Sequence, residues 1–311
     1  APRNTMTRAQ REAGAAKPEE SLEHTRMTLG EHLEELRLRI WRSVVALVLV
    51  FSGAWFFHVQ IAEWLLWPYS FARTHLEQDL FERFQEKLAA DPTLDPMAYF
   101  ERSDPQSPED LRDNRRVPET PRGDGAGTGF LFYMRFCFYF SLFVAGPYMI
   151  WQAWLFIAAG LYKRERRVVY GYLPLSILLF VSGVLFGFSC LVPYGLYYLA
   201  KISIEQIQYW ESLDTYSTFL TSLTLATGVV FQTPIVMVAL SRVGLVDPTF
   251  YSKYRPHMIV VVLIIAAVLT PPDVITQVLM AGPMLVLYEV GAFCARLAVK
   301  KASRAPKAPQ V

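Results

Sequence analysis

The sequence predicts an all-α membrane protein with six membrane-spanning helices. Hydrophobic residues make up 53% of its 311 residues, which is more than an ordinary soluble protein carries. Several runs of about 20 residues contain no charge, and a helix of that length is roughly 30 Å long, enough to cross a bilayer core. The charged residues cluster between these runs. The net charge of +2 gives no indication of a nucleic-acid partner.

The first predicted span is the charge-free run from Ser43 to Ala62. A charged lead precedes this run, and its apolar residues recur every three or four positions, at Leu29, Leu33, Leu36 and Ile40. This spacing predicts an amphipathic helix that lies along the membrane surface before the span. Residues 1–27 mix charged and small residues, and we expect them to form a disordered cytoplasmic tail.

Three further charge-free runs are long enough to be full spans. They are Phe136 to Tyr162, Val168 to Ala200, and Thr215 to Ser241. The last apolar region, Pro256 to Tyr288, is interrupted by Thr270-Pro-Pro-Asp273, where a helix cannot continue. Each half has about 15 residues, or roughly 22 Å of helix, so we predict two short spans joined by a turn. Residues 297–311 would then form a C-terminal tail.

A polar stretch, residues 59–129, separates the first two predicted spans. Trp64 and Trp67 near its start are typical of a membrane interface. The part from 71 to 129 reads as an insertion. Apolar residues at helical spacing predict an amphipathic helix at its start, with positions Phe71, Leu76, Leu80, Phe84 and Leu88. The rest of the insertion is rich in Pro, Asp and Gly and is predicted to be loop.

The distribution of basic residues predicts the orientation. With both termini in the cytoplasm, 20 of the 30 Lys and Arg lie in cytoplasmic segments. The polar stretch 59–129 carries 8 Lys and Arg but also 14 acids, and it is long enough to fall outside the positive-inside rule. We therefore expect a multi-pass protein with both termini in the cytoplasm and the insertion on the outer side of the membrane.

Two acids stand among basic residues at the predicted cytoplasmic surface. Glu35 lies within Glu-Glu-Leu-Arg-Leu-Arg and Glu165 within Lys-Arg-Glu-Arg-Arg. Each could be a solvated partner of its neighbouring arginines. Alternatively, the two carboxylates could clamp guanidinium groups of a ligand, because carboxylate and arginine form a two-pronged hydrogen-bonded pair. The local sequence leaves both interpretations open.

Two other polar residues lie in apolar surroundings. Gln232 is in the fourth predicted span, where an amide is costly unless it meets a partner or a wet cavity. The backbone carbonyl that Pro234 leaves free could satisfy it, or the amide could contact a partner helix. Asp273 could cap the sixth helix. The sequence contains no catalytic or phosphate-binding motif, so we expect no enzyme and no metal or other cofactor.

Four motifs stand in order along the chain: His32-Leu-Glu-Glu-Leu-Arg37, Trp154 to Arg167, Phe231-Gln-Thr-Pro234 and Leu269 to Gln277. Together they resemble the TatC family, the receptor subunit of the twin-arginine protein translocase. The likeness extends over roughly Thr28 to Arg296, which bounds the predicted membrane domain at 28–296, apart from the insertion. It implies a location in the bacterial inner membrane with the insertion in the periplasm.

The resemblance implies a six-helix, cupped-hand fold that binds twin-arginine signal peptides of folded cargo. It implies partner helices of TatA and TatB, use of the proton-motive force, contact with membrane lipid, and a homo-oligomer within a receptor complex. By position, Glu35 and Glu165 match the family's two signal-peptide glutamates. Other residues in the same motifs are implied to shape that site: Leu33, Arg37, Phe156, Tyr162 and Arg166. Pro68 matches a family proline after the first span, and Asp273 matches the acid of the outer turn.

The sequence departs from the family in two places. Gln232 stands where the family often has Glu, so the role expected there is a polar contact with a partner helix and not a protonatable one. The insertion at 71–129 is longer than expected. The alternative function is a secondary solute transporter, a class that shows internal repeats and several polar groups at mid-membrane depth. This sequence contains only Gln232 as a polar group of note at that depth.

Overall fold

The computed structural model describes residues 29–90, 127–161, 163–203, 212–270 and 274–304. All regular elements in these ranges are helices, so the predicted all-α class is confirmed. The expectations for the N-terminal tail, most of the loop after position 90, Tyr162 and Asp273 fall outside the described residues. We number the helices in chain order: α1 Leu29–Trp55, α2 His58–Leu65, α3 Trp67–Ala90, α4 Thr128–Ala159, α5 Lys163–Phe186, α6 Val192–Ser203, α7 Leu213–Val230, α8 Thr233–Val243, α9 Pro248–Lys253, α10 Arg255–Leu269 and α11 Val274–Arg304.

Five helical segments are long and apolar enough to cross a membrane. They are Gly30–Trp55, Thr128–Ala159, Tyr170–Ile202, Leu213–Val243 and Val274–Lys300. Arg255–Leu269 is a further apolar helix of only 15 residues, as predicted for the fifth span. At about 1.5 Å per residue it is roughly 22 Å long. The total of six spans therefore remains a prediction.

The charged lead and the first span form one continuous helix, α1, of 27 residues. The predicted separate helix along the membrane surface is therefore wrong. Between Arg37 and Ser43 the side chains change from charged to apolar, but no proline or glycine interrupts the backbone hydrogen bonds. The helix ends only at the turn formed by Phe56 and Phe57.

The last helix is longer than predicted. The predicted span ended at Tyr288 because a charged residue, Glu289, follows it. In the structure α11 continues to Arg304, because a charge ends an apolar run without breaking a helix. Glu289 accepts a hydrogen bond from Arg255 Nη2 of α10 at 2.5 Å, which gives the carboxylate a partner. Only α10 of the last two helices is short.

The insertion begins with the amphipathic helix that its sequence predicts. Helix α3 spans that segment, and Leu76 is buried at 1% exposure. Pro68 lies in the first turn of α3, where its missing N–H would have no helical partner, and its side chain is fully buried. Trp64 and Trp67 both stack on Phe188, with ring centroids 4.9 and 5.9 Å apart respectively. This aromatic cluster fixes the segment just before the insertion against the third span.

A second contact holds α3 to the helix α6. Lys201 Nζ donates to Asp79 Oδ2 at 2.5 Å and to the Tyr197 hydroxyl at 2.8 Å, and that hydroxyl also donates to Asp79. The hydrogen bond from Lys201, followed by that from Tyr197, lowers the pKa of Asp79 below its ordinary value. The carboxylate form is therefore favoured in the packed arrangement.

We expect Asp79→Asn to loosen α3 from α6. A pair at this degree of exposure contributes no more than about 1 kcal/mol, so protease cleavage within α3 should accelerate by at most about fivefold. Because the pKa is lowered, the contribution is present at neutral pH and is lost as the pH falls through that lowered pKa. Cleavage of the native protein should thus be independent of pH down to about pH 4, where ordinary aspartates titrate.

Glu77→Gln is the matched control. Glu77 pairs with Arg73 one turn away on α3, and its replacement removes the same charge from the same helix. Limited proteolysis that responds equally to the two variants would show that the contact between helices has no effect.

Candidate binding site formed by the first and second spans

The start of α1 packs against the end of α4. The His32 ring stacks on Phe156 with centroids 4.4 Å apart and an angle of 22° between the planes. A Cβ atom built on Gly160 would lie 3.2 Å from His32 Cε1, so the glycine allows the close approach of the two helices. These contacts hold the start of α1, which carries Glu35, against the end of α4.

Glu35 is held by an arginine of its own helix. Arg39 donates through Nε at 2.7 Å and through Nη2 at 2.5 Å, and both hydrogen bonds go to Glu35 Oε1. Arg39 Nη1 also donates to Gln152 Oε1 of α4 at 2.9 Å. The side chains of Glu35 and Arg39 are only 20% and 16% exposed, and Gln152 is 5% exposed. The pair therefore lies in a partly shielded place between the two helices.

An apolar cleft adjoins this hydrogen-bonded group. Its volume is about 300 Å³, and Arg39, Ser43 and Gln152 contribute polar side chains to its lining. The remaining lining is mainly apolar and comes from both helices: Leu36, Ile40, Val44, Leu47, Met149 and Phe156. The cleft can accept an apolar group next to a guanidinium.

The second acidic candidate, Glu165, comes shortly after the end of α4 in the chain. Glu165 is in the first turn of α5, whose backbone begins three residues after Gly160. The structure therefore brings the backbone of Glu165 to the end where α1 starts, although the Glu165 side chain lies outside the described atoms. Arg166 is exposed, and its guanidinium lies 5.9 Å from the centroid of the Tyr170 ring.

The other predicted site residues differ in their placement. Leu33 and Arg37 are exposed on α1, with 63% of Leu33 accessible. Phe156 faces His32 and lines the cleft. Tyr162 lies outside the described residues.

Sequence reasoning missed three residues at this site: His32, Arg39 and Gln152. His32 and Arg39 lie in or beside the first recognised segment, but no local pattern singles them out. Gln152 had a usable signal, because it is an amide in a charge-free run just as Gln232 is. The structure confirms that such an amide meets a polar partner, here Arg39.

Gln232 belongs to a separate hydrogen-bonded group in the interior of the spans. Its Oε1 accepts from the Ser176 hydroxyl, and its Nε2 donates to the Ser176 backbone carbonyl at 3.1 Å. Trp154 Nε1 donates to the same hydroxyl at 2.7 Å. The amide is therefore satisfied within the chain, but by a carbonyl of the third span and not by the one that Pro234 leaves free.

We expect Ser176→Ala to lower the stability of the folded protein. The change removes a partner from both Trp154 Nε1 and Gln232 Oε1, and hydrogen bonds between membrane helices contribute about 0.6–1.7 kcal/mol each. The thermal unfolding midpoint in detergent should fall by roughly 2–6 °C. Ser182→Ala is the control, because within the described residues the Ser182 hydroxyl donates only to the Leu179 carbonyl of its own helix. Equal midpoints for the two variants would contradict the expectation.

Across the described part of the chain, no cluster of three or more His, Cys, Asp or Glu side chains is placed to hold a metal ion. The polar groups described above are arranged for hydrogen bonding and ion pairing between helices.

The fold and the site define a class of protein: a polytopic helical membrane protein with a carboxylate–guanidinium site where its first two spans meet. Residues 31–283 match the family model described as Sec-independent protein translocase protein (TatC). The chain belongs to the TatC family and is therefore an integral membrane component of the Sec-independent protein translocase.

Curated relatives and a solved structure agree with this assignment. The chain is 29% identical over 283 residues to the Sec-independent protein translocase protein TatCy of Bacillus subtilis, covering 91% of this chain and 94% of the relative. It is 30% identical over 269 residues to TatC of Azotobacter chroococcum, covering 86% and 88% of the two chains. A crystal structure of the twin-arginine translocase receptor TatC superposes with a TM-score of 0.63 at 28% identity, covering 86% of this chain and all of that one.

Proposed function

We propose that this chain is the receptor of a twin-arginine translocase, and that Glu35 and Glu165 bind the arginine pair of a cargo signal peptide. The observation that carries the proposal is the packing of the start of α1 on the end of α4. The His32–Phe156 stack and the close approach at Gly160 support a single binding surface for the two acids. We call this surface, formed by the start of α1 and the start of α5, the rim.

The chemistry of the rim suits this ligand. A carboxylate and a guanidinium pair through parallel hydrogen bonds, and two consecutive arginines need two such acceptors. The contact that Glu35 makes with Arg39 demonstrates that this carboxylate accepts a guanidinium in the folded protein. The apolar cleft beside Arg39 supports binding of an apolar part of the peptide. Leu33, Arg37, Phe156, Tyr162 and Arg166 complete the proposed site.

We further propose that the receptor works by recognition and assembly, without turnover chemistry. It would operate with TatA and TatB helices, as a homo-oligomer in the receptor complex, with export driven by the proton-motive force. Both termini would lie in the cytoplasm and the insertion in the periplasm, as the distribution of Lys and Arg predicts. Because both amide atoms of Gln232 are satisfied within the chain, we propose it as an intramembrane contact between spans.

The proposal is tested by the affinity of the full chain, reconstituted in lipid nanodiscs, for a labelled peptide with an Arg-Arg pair before an apolar segment. Hydrogen bonds to charged groups contribute about 1.5–3 kcal/mol, so Glu35→Gln and Glu165→Gln should each weaken binding about 10- to 100-fold. Glu34→Gln is the matched control, because it neutralises an exposed acid next to Glu35. Unchanged affinity in the Glu35→Gln, Glu165→Gln double variant would refute the proposed site.

A further inference from the structure

In this structure the Glu35 carboxylate already holds a guanidinium, that of Arg39. Two N–H groups of Arg39 converge on Glu35 Oε1 at 2.5 and 2.7 Å. The proposed site offers the same interaction to a cargo arginine. A ligand that uses this oxygen must therefore take the place of Arg39.

The Glu35–Arg39 pair is suited to exchange. Its members are four residues apart on one helix, an arrangement that contributes little to the stability of a helix. Both side chains retain some exposure, 20% and 16%, so water and a ligand can reach them. Breaking this pair would leave the backbone of α1 intact.

Arg39 also has somewhere to go when it leaves Glu35. Its Nη1 already donates to the buried Gln152 at 2.9 Å, so the guanidinium keeps one acceptor. Its side chain is 16% exposed, so the freed N–H groups can turn toward solvent. The displaced charge is thus neither unpaired nor fully enclosed, which keeps the cost of exchange low.

We propose that Arg39 is a built-in competitor for Glu35, which occupies the carboxylate until an arginine of the cargo displaces it. This inference rests on the proposed function and assigns a regulatory role to a residue of the same site. Arg39 would neutralise the Glu35 carboxylate in the unbound receptor. It would thereby lower the affinity of this site for any cationic segment.

The test is a double-mutant cycle with the labelled Arg-Arg peptide and the reconstituted full chain. Arg39→Gln removes the competitor and should tighten binding about three- to tenfold when Glu35 is present. In a Glu35→Gln background the same change should alter affinity less than about twofold, because no carboxylate remains to compete for. Binding remains measurable in that background since Glu165 is retained.

Arg42→Gln is the matched control. Arg42 is exposed on the same helix, so its removal changes the charge of the surface by the same amount without vacating Glu35. It should have the same small effect in both backgrounds. Weaker or unchanged binding on Arg39→Gln, or an equal gain in both backgrounds, would overturn the inference. If Glu35→Gln itself has no effect on affinity, the proposed function fails; if only the coupling is absent, the competitor role alone fails.

Discussion

Replacing Gly183 by alanine is expected to force the third and fourth spans apart. A Cβ atom at this position would lie 2.7 Å from the Thr227 backbone oxygen and 2.8 Å from Phe231 Cβ. Neither atom is the flexible end of a side chain, so a helix backbone must shift. Gly187 and Gly228 make similarly close approaches between the same spans, which leaves little room for relief. Inserting atoms into such packing costs about 1–3 kcal/mol or more, and the thermal midpoint in detergent should fall by roughly 5 °C or more.

Gly171→Ala is the control for this prediction. Gly171 is in the same helix, α5, and a Cβ atom there would meet nothing within 4 Å. Alanine is the better helix former by about 1 kcal/mol, so this variant should be as stable as the original protein or more so. If both alanine variants melt together, the close approach of these spans is not required for the fold.

Replacing Tyr216 by alanine is expected to disrupt the end of the helix bundle against which α3 packs. Tyr216 is fully buried, and its hydroxyl donates to the Leu65 backbone carbonyl at 2.6 Å. Its ring makes an edge contact with Tyr69 at 5.8 Å and lies near Phe136. Loss of a large buried ring costs about 3–5 kcal/mol. The variant should unfold roughly 6–15 °C lower and α3 should become more sensitive to protease.

Tyr194→Ala separates this effect from the loss of any tyrosine at the same end of the bundle. Tyr194 is 42% exposed and touches Phe71 through an edge contact at 5.7 Å. Its removal leaves no buried cavity and no stranded carbonyl, so its unfolding midpoint should change by no more than about 2 °C. Comparable losses at the two positions would contradict the assignment of Tyr216 as the packing centre of this end.

The spans and the helix at the start of the insertion could be predicted because hydrophobic run length and helical spacing record the solvent that each residue meets. The ends of the helices could not be predicted in this way. Helix α1 continues through charged residues and α11 through Glu289, since backbone hydrogen bonding does not depend on side-chain polarity. The five-residue π-helical segment Gly187–Leu191 within the third span also has no local signature. Its glycine is explained by the close approach of Thr224 and Thr227 on the fourth span.

For the candidate site, the sequence marked Glu35 but not its partner. Local spacing permitted a pair between Glu35 and any of several nearby arginines, and only the packing of α1 on α4 selects Arg39 through Gln152. The same holds for Gln232, where the cost of a buried amide predicted a partner but could not identify Ser176 on another span. Local sequence patterns do not specify which residues of distant helices come into contact, so these partners could not be predicted.

The central claim is that the acids of the first span and of the segment after the second span share one cytoplasmic rim. Single cysteines at Glu34 and Arg166, in a variant whose natural cysteines are replaced by alanine, would be reacted with a membrane-impermeant maleimide. Both should be labelled in inverted inner-membrane vesicles and protected in intact spheroplasts. Labelling of the two positions from opposite sides of the membrane would contradict the account.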